Sequence, residues 1–204
     1  LGKTVGIVGL GRIGSAVAKL MKLVGAQVIY WSRRRKPEVE HALGITYVEL
    51  EELFRRSDVV VVAVAYTRDT HKLVNEELLS RAKKGLILVN VSRGEVVDTS
   101  ALLKALKSGV LGGAALDVFE EEPLPQDHPL LKFDNVVLTP HIAGYTWESM
   151  EETSVAVALT LVRFLKEGAP PPNPLTPTTC GATRIRPATL NTNSWDVEER
   201  SHRR

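Results

Sequence analysis

The chain has 204 residues, 44% hydrophobic and 25% charged, with a formal net charge of +2 and a single cysteine, Cys180. That balance provides no global field to draw nucleic acid, and one thiol excludes both a disulfide scaffold and a thiolate zinc site. No apolar run nears the roughly 20 residues of a membrane span and no secretory pattern opens the chain, so a soluble, cytoplasmic α/β protein without nucleic-acid, membrane or metal partners is expected.

Residues 4–8 are a short apolar run of strand type, followed at once by Gly9-Leu10-Gly11-Arg12-Ile13-Gly14. Over 13–24, Ile13, Val17, Leu20, Met21 and Val24 fall at helical spacing, Gly25 closes the helix, and 27–31 reads as a second strand. The first 31 residues therefore predict a βαβ unit. The spacing predicts a short amphipathic helix over 49–56. The valine-rich run at 59–64 is too apolar for a half-exposed strand and suits a parallel strand covered on both faces. Helices over 76–82 and 99–107 then alternate with strands over 86–91, 114–118 and 136–139. Such alternation predicts an open, doubly wound parallel sheet of the Rossmann type.

The longest helical pattern covers 147–167, with Val155, Leu159, Val162 and Phe164 or Leu165 on one face, and Gly168 and Pro170-Pro171-Pro172 end it. Beyond it the chain shows neither period and is rich in Thr, Pro and Arg. The expected organisation is a dinucleotide-binding domain over 1–146, a helix over 147–168 that docks elsewhere, and a disordered tail over 169–204.

A glycine-rich turn is weak evidence alone, but here it follows a strand and opens a helix. In that context Gly9 makes the tight turn, Gly11 admits a pyrophosphate to the backbone, Gly14 lets helix pack on strand, and free amides at the helix start bind the anion. At the end of the second strand, where an acid would hold the ribose hydroxyls of NAD, the chain reads Trp31-Ser32-Arg33-Arg34-Arg35-Lys36. Arginine forks suit a phosphate dianion, so NADP is favoured over NAD, with Ser32, Arg33 and Arg34 as its candidate contacts. The plain alternative is a solvated basic turn. Three later segments end strands with polar residues: 90–94 (Asn-Val-Ser-Arg-Gly), 117–123 (Asp-Val-Phe-Glu-Glu-Glu-Pro) and 139–144 (Thr-Pro-His-Ile-Ala-Gly). A parallel sheet brings all three to the edge that carries the glycine turn, so a cation, a carboxylate and an imidazole converge there. Singly, each could be a cap, a solvated turn or a structural histidine.

These segments, together with 2–14 and 89–98, resemble in family order the nucleotide-binding domain of the D-isomer-specific 2-hydroxyacid dehydrogenases, most of all the archaeal glyoxylate/hydroxypyruvate reductases, with phosphoglycerate dehydrogenases as near relatives. The resemblance implies an NADP- or NAD-dependent oxidoreductase of 2-oxo acids, usually a homodimer. By matching position it gives Arg93 the anchoring of substrate, His141 the acid/base role and Glu122, directly before Pro123, the part of its partner, although Glu120 and Glu121 stand beside it. A carboxylate beside an imidazole favours its charged form. Asp117 matches a contact to the nicotinamide carboxamide. Gly11, Arg12, Ile13 and Gly14, Ser32 to Arg34, Val91, Ser92 and Arg93, and His141 to Ala143 match cofactor-contacting segments. Residues 63–66 (Ala-Val-Ala-Tyr) depart from the family's usual turn beside the adenosine. The family's substrate domain, largely N-terminal, is expected to be missing here, so that helix 147–168 would dock on it. A nucleotide-binding or dimerisation module without catalysis is the alternative.

Overall fold

The computed structural model describes residues 2–172; the tail expected over 169–204, with Cys180, lies outside the described residues from 173 onward. Seven strands, β1 Thr4–Val8, β2 Gln27–Trp31, β3 Thr46–Tyr47, β4 Val59–Val62, β5 Leu86–Asn90, β6 Leu111–Leu116 and β7 Val136–Leu138, form one sheet in the order β3-β2-β1-β4-β5-β6-β7. Every neighbouring pair is parallel. The helices are α1 Arg12–Leu23, α2 Pro37–Leu43, α3 Leu50–Arg56, α4 Glu76–Ser80, α5 Thr99–Lys107 and α6 Trp147–Val162. The doubly wound parallel fold read from the alternation is the fold observed.

The sheet carries an apolar core on each face. On one, Val5, Ile7, Leu10, Val28, Tyr30, Ile45 and Val61 pack with Ala18 of α1. On the other, Val60, Val62, Leu86, Leu88, Ala114 and Leu116 meet Leu53 and Phe54 of α3, Leu79 of α4, and Leu102 and Leu106 of α5. The valine run of β4 is apolar at every position because Val60 and Val62 feed one core and Val61 the other. The layering is incomplete toward β7: Ile87 of β5 and Val137 of β7 remain 44% and 64% exposed.

Several boundaries differ from expectation for physical reasons. The strand expected over 59–64 stops at Val62, and Ala63, Val64 and Ala65 leave the sheet to line a cleft. β6 begins three residues earlier than its pattern suggests, because Gly112 and Gly113 carry no β signal. A Cβ on either would lie within 2.7 Å of a neighbouring backbone oxygen, so close packing demands these glycines. α2 and β3 were not anticipated. α2 starts with Pro37 at its first turn and ends on left-handed Gly44, and β3 has two residues, too few to show a period.

The described residues divide into two compact units, with the boundary between Ala143 and Gly144. In the second, Thr146 caps α6 by accepting the Ser149 amide, and a π-helical turn, Arg163–Glu167, precedes left-handed Gly168. No residue of α6 is buried. Its apolar residues do not keep to the single expected face, since Val157 lies about 200° round from Val155. Among the described residues no helix is long and apolar enough to cross a membrane.

Candidate active site

Strand register places the site. Val8 pairs with both Trp31 and Val62, Val62 with Asn90, Asn90 with Leu116, and Leu116 with Leu138, so six strands end in one row. The residues that step off this crest are Gly9, Ser32, Ala63, Val91, Asp117 and Thr139. The sheet reverses its winding between β1 and β4, and the glycine turn lies at that switch.

At the switch, Gly9 has a left-handed φ of +99° and its amide donates to the Trp31 carbonyl at 2.8 Å. A Cβ on Gly14 would sit 2.0 Å from the Gly9 oxygen, so helix and turn touch backbone to backbone. Gly11 is different: nothing lies within 4 Å of where its Cβ would be, and no side chain caps the helix it begins. The opening turn of α1, with Arg12, Ile13 and Gly14, therefore offers amides without a side-chain cap. A cleft of about 480 Å³ runs from Gly9, Leu10 and Gly11 to Ser32, Arg33, Arg34 and Lys36, with Ala63, Val64 and Ala65 as its far wall. The cleft thus has a glycine cradle at one end, which suits a dinucleotide's pyrophosphate, and a cluster of cations at the other.

The basic turn is sorted by its contacts. Ser32 folds it, donating to the Arg34 carbonyl at 2.6 Å. Arg35 is diverted: its guanidinium grips Glu40 in a bidentate pair at 2.7 and 2.8 Å, and the Tyr30 hydroxyl donates to the same carboxylate. The Arg35 and Tyr30 hydrogen bonds hold Glu40 down at about 2, while burial, with Glu40 adding, pushes Tyr30 up to about 12. Arg33 lies 3.8 Å from Asp69. Lys36, which charge counting did not separate from its neighbours, joins Arg33 and Arg34 on the cleft wall.

Further along the crest, Asn90 is 1% exposed and organises the turn before Arg93. Its Nδ2 donates to the Arg93 carbonyl at 3.0 Å, and its Oδ1 accepts the Ser92 amide and hydroxyl. Sequence reasoning gave Asn90 no role; its place at the end of a buried strand was the available signal. The Arg93 guanidinium donates to the Ser92 carbonyl at 2.7 Å. Arg93 is still close enough to help lower the carboxyl of Glu122. A Cβ on Gly94 would fall 1.9 Å from the carbonyl carbon of Phe119, so the Arg93 turn is pressed against the loop that bears the glutamates.

The three glutamates separate cleanly. Glu120 accepts the amide and hydroxyl of Thr99 at 2.9 and 2.7 Å and so serves the start of α5. Glu122 accepts the Phe119 amide through one oxygen and meets Nδ1 of His141 at 2.8 Å through the other. The His141 hydrogen bond, then the Phe119 amide, hold the Glu122 carboxyl below its ordinary range. Asp117, 6% exposed, accepts from Thr139, Ile142 and Ala143. Burial pushes its carboxyl up, but those hydrogen bonds, helped by His141, outweigh burial and leave it low. The structure thus assembles two groups on one edge: the glycine cradle with Ser32, Arg33 and Arg34, and the Glu122–His141 pair beside Arg93, with Val91 and Ser92 on the crest between them. No cluster of three potential metal ligands occurs among the described residues.

A parallel sheet with a glycine cradle at its switch point and ionisable loops along the same crest defines a dinucleotide-binding domain of the Rossmann type. Residues 1–143 match the D-isomer specific 2-hydroxyacid dehydrogenase NAD binding domain, and the chain belongs to that family. It is similar to the glyoxylate reductase of Pyrococcus horikoshii, 53% identical over 170 residues, which cover 83% of this chain and 51% of that protein. Among solved structures, Rhodotorula graminis D-mandelate dehydrogenase superposes with a TM-score of 0.80 at 39% identity, over 86% of this chain and 52% of that one. The Aquifex aeolicus D-lactate dehydrogenase complexed with NAD and lactic acid gives a TM-score of 0.71 at 38% identity, over 79% and 54%. The chain spans about half the length of the relatives it matches.

Proposed function

We propose that this chain is the dinucleotide-binding half of a reductase that converts a small 2-oxo acid, glyoxylate or hydroxypyruvate, into the 2-hydroxy acid, with NADPH preferred over NADH. The observation that carries this reading is the 2.8 Å contact between Glu122 and His141 on the crest shared with the glycine cradle. When bound, a reduced nicotinamide supplies a hydride to the carbonyl carbon. His141 delivers a proton to the carbonyl oxygen and is reprotonated from solvent. Glu122 orients the imidazole through Nδ1, leaving Nε2 for the substrate. Arg93 binds the substrate carboxylate with its planar fork, while one terminal nitrogen donates to the Ser92 carbonyl. Gly9, Gly11 and the first turn of α1, with Arg12, Ile13 and Gly14, take the pyrophosphate, and Val91, Ser92, Asp117 and Ala143 flank the nicotinamide side.

The NADPH preference rests on the cations of the second-strand turn. Ser32, Arg33, Arg34 and Lys36 line the cleft, and the one carboxylate that pairs with them among the described residues, Asp69, meets Arg33 at 3.8 Å from outside the lining. The resemblance supports a cytoplasmic homodimer, with a substrate domain on which 147–168 docks. Fluorescence titration of the 204-residue chain should show tighter binding of NADPH than of NADH, and Arg33→Ala with Arg34→Ala should abolish the difference. Equal affinities before mutation would remove the NADP assignment. In the enzyme joined to its substrate domain, His141→Gln should lose turnover of glyoxylate and keep NADPH binding. Turnover that survives in His141→Gln would exclude His141 as the acid, and NADPH binding without turnover in the wild type would favour a non-catalytic module.

A further inference from the structure

The backbone of His141 is left-handed, with φ +56°, a conformation that a side chain with a Cβ disfavours and that must be imposed by its surroundings. The His141 amide donates to the Thr139 carbonyl at 3.0 Å, closing a tight turn about Pro140. One carboxylate grips this turn from both sides. Oδ1 of Asp117 accepts the Thr139 hydroxyl at 2.6 Å and the Ile142 amide at 2.9 Å, and Oδ2 accepts the Ala143 amide at 3.0 Å. Asp117 itself cannot drift, because it follows Leu116, which is in register with Leu138, and its own amide donates to the Asn90 carbonyl at 3.1 Å.

We propose that Asp117 is a positioning residue for His141: it holds residues 139–143 in the backbone form that turns the imidazole onto Glu122. A carboxylate offers about four acceptor positions. Three are used by the chain's own donors, one before His141 and two after it. An ionised group is required because two of the donors are backbone amides with fixed directions. In an asparagine, one of these amides would face an NH2 group, donor against donor. Among the described residues, Glu122 touches the ring itself, with Arg93 beside Glu122, whereas Asp117 is the carboxylate that binds the backbone of the segment carrying the ring. The inference rests on the proposed role of the Glu122–His141 pair only for its catalytic consequence; the geometry stands without it.

The test uses the 204-residue chain with 15N-labelled histidine, in wild-type, Asp117→Asn and Thr139→Val forms, followed by NMR and by NADPH titration. Asp117→Asn should lose the hydrogen-bonded Nδ1 proton of His141. Thr139→Val, which keeps both amide contacts, should weaken that resonance only in part. The signals of His41 in α2, which lies between β2 and β3 at the opposite edge of the sheet from β7, should not move in either variant, as they would if the whole domain loosened. An unaltered His141 resonance in folded Asp117→Asn would overturn the proposal, whatever the effect on NADPH binding. If Asp117→Asn does not fold, an unaltered His141 resonance in folded Thr139→Val overturns it equally. Failure of the wild type to bind NADPH would count against the proposed function and leave the histidine comparison decisive for this one.

Discussion

Gly11 and Gly14 stand three residues apart and answer to different constraints. A methyl group at position 14 would collide with the Gly9 carbonyl, so Gly14→Ala should force turn and helix apart and cost about 1–3 kcal/mol of stability, read in urea unfolding. A methyl group at position 11 would project into open space, so Gly11→Ala should leave unfolding unchanged and weaken dinucleotide binding in a fluorescence titration. Asn90→Ala removes three hydrogen bonds from a buried position and should cost about 1–3 kcal/mol while releasing the Arg93 turn. Other distinctions at this scale were not legible. Nothing in the string Glu120-Glu121-Glu122 shows that the first caps a helix and the third meets a histidine, because that sorting depends on which loop lies against Thr99. Likewise Arg35 looks like Arg33 and Arg34 until Glu40, on a helix too short to stand out, withdraws it.

The elements that could be read were those whose pattern is also their packing. β1, β2 and α5 match their expected bounds to the residue, since alternating burial in the helix and continuous burial in the strands produce the periods themselves. Where close packing calls for glycine, as at the start of β6, the pattern falls silent although the strand is there. α5 begins at Asp98, whose carboxylate accepts the Ser100 and Ala101 amides and pairs with Lys72 at 3.2 Å. Asp98→Ala should therefore remove about 1 kcal/mol and lower the melting temperature by a few degrees in calorimetry.

Across the whole molecule, three carboxylates each gather several partners: Glu40 binds Tyr30 and Arg35, Asp58 binds Lys83 and the Thr4 amide, and Asp98 binds Lys72 and the start of α5. Each is held at about 2, below ordinary values of 3.8 for aspartate and 4.5 for glutamate. Since folding depresses these values, their contribution is complete above about pH 4.5 and is lost as pH falls toward 2, so urea midpoints should drop across that window and hold above it. The partly bare sheet face at Ile87 and Val137, with an apolar α6, gives the chain surface that favours association. Light scattering should show a dimer or larger species, and a monodisperse monomer would contradict this. Finally, the meeting of Gly94 with the Phe119 carbonyl bears on how such a site can be re-engineered. No gap exists there to absorb a mismatch, so an arginine turn borrowed from one dehydrogenase and an acidic loop from another would have to be matched as a pair. A chimaera should exchange 90–98 and 117–123 together or neither.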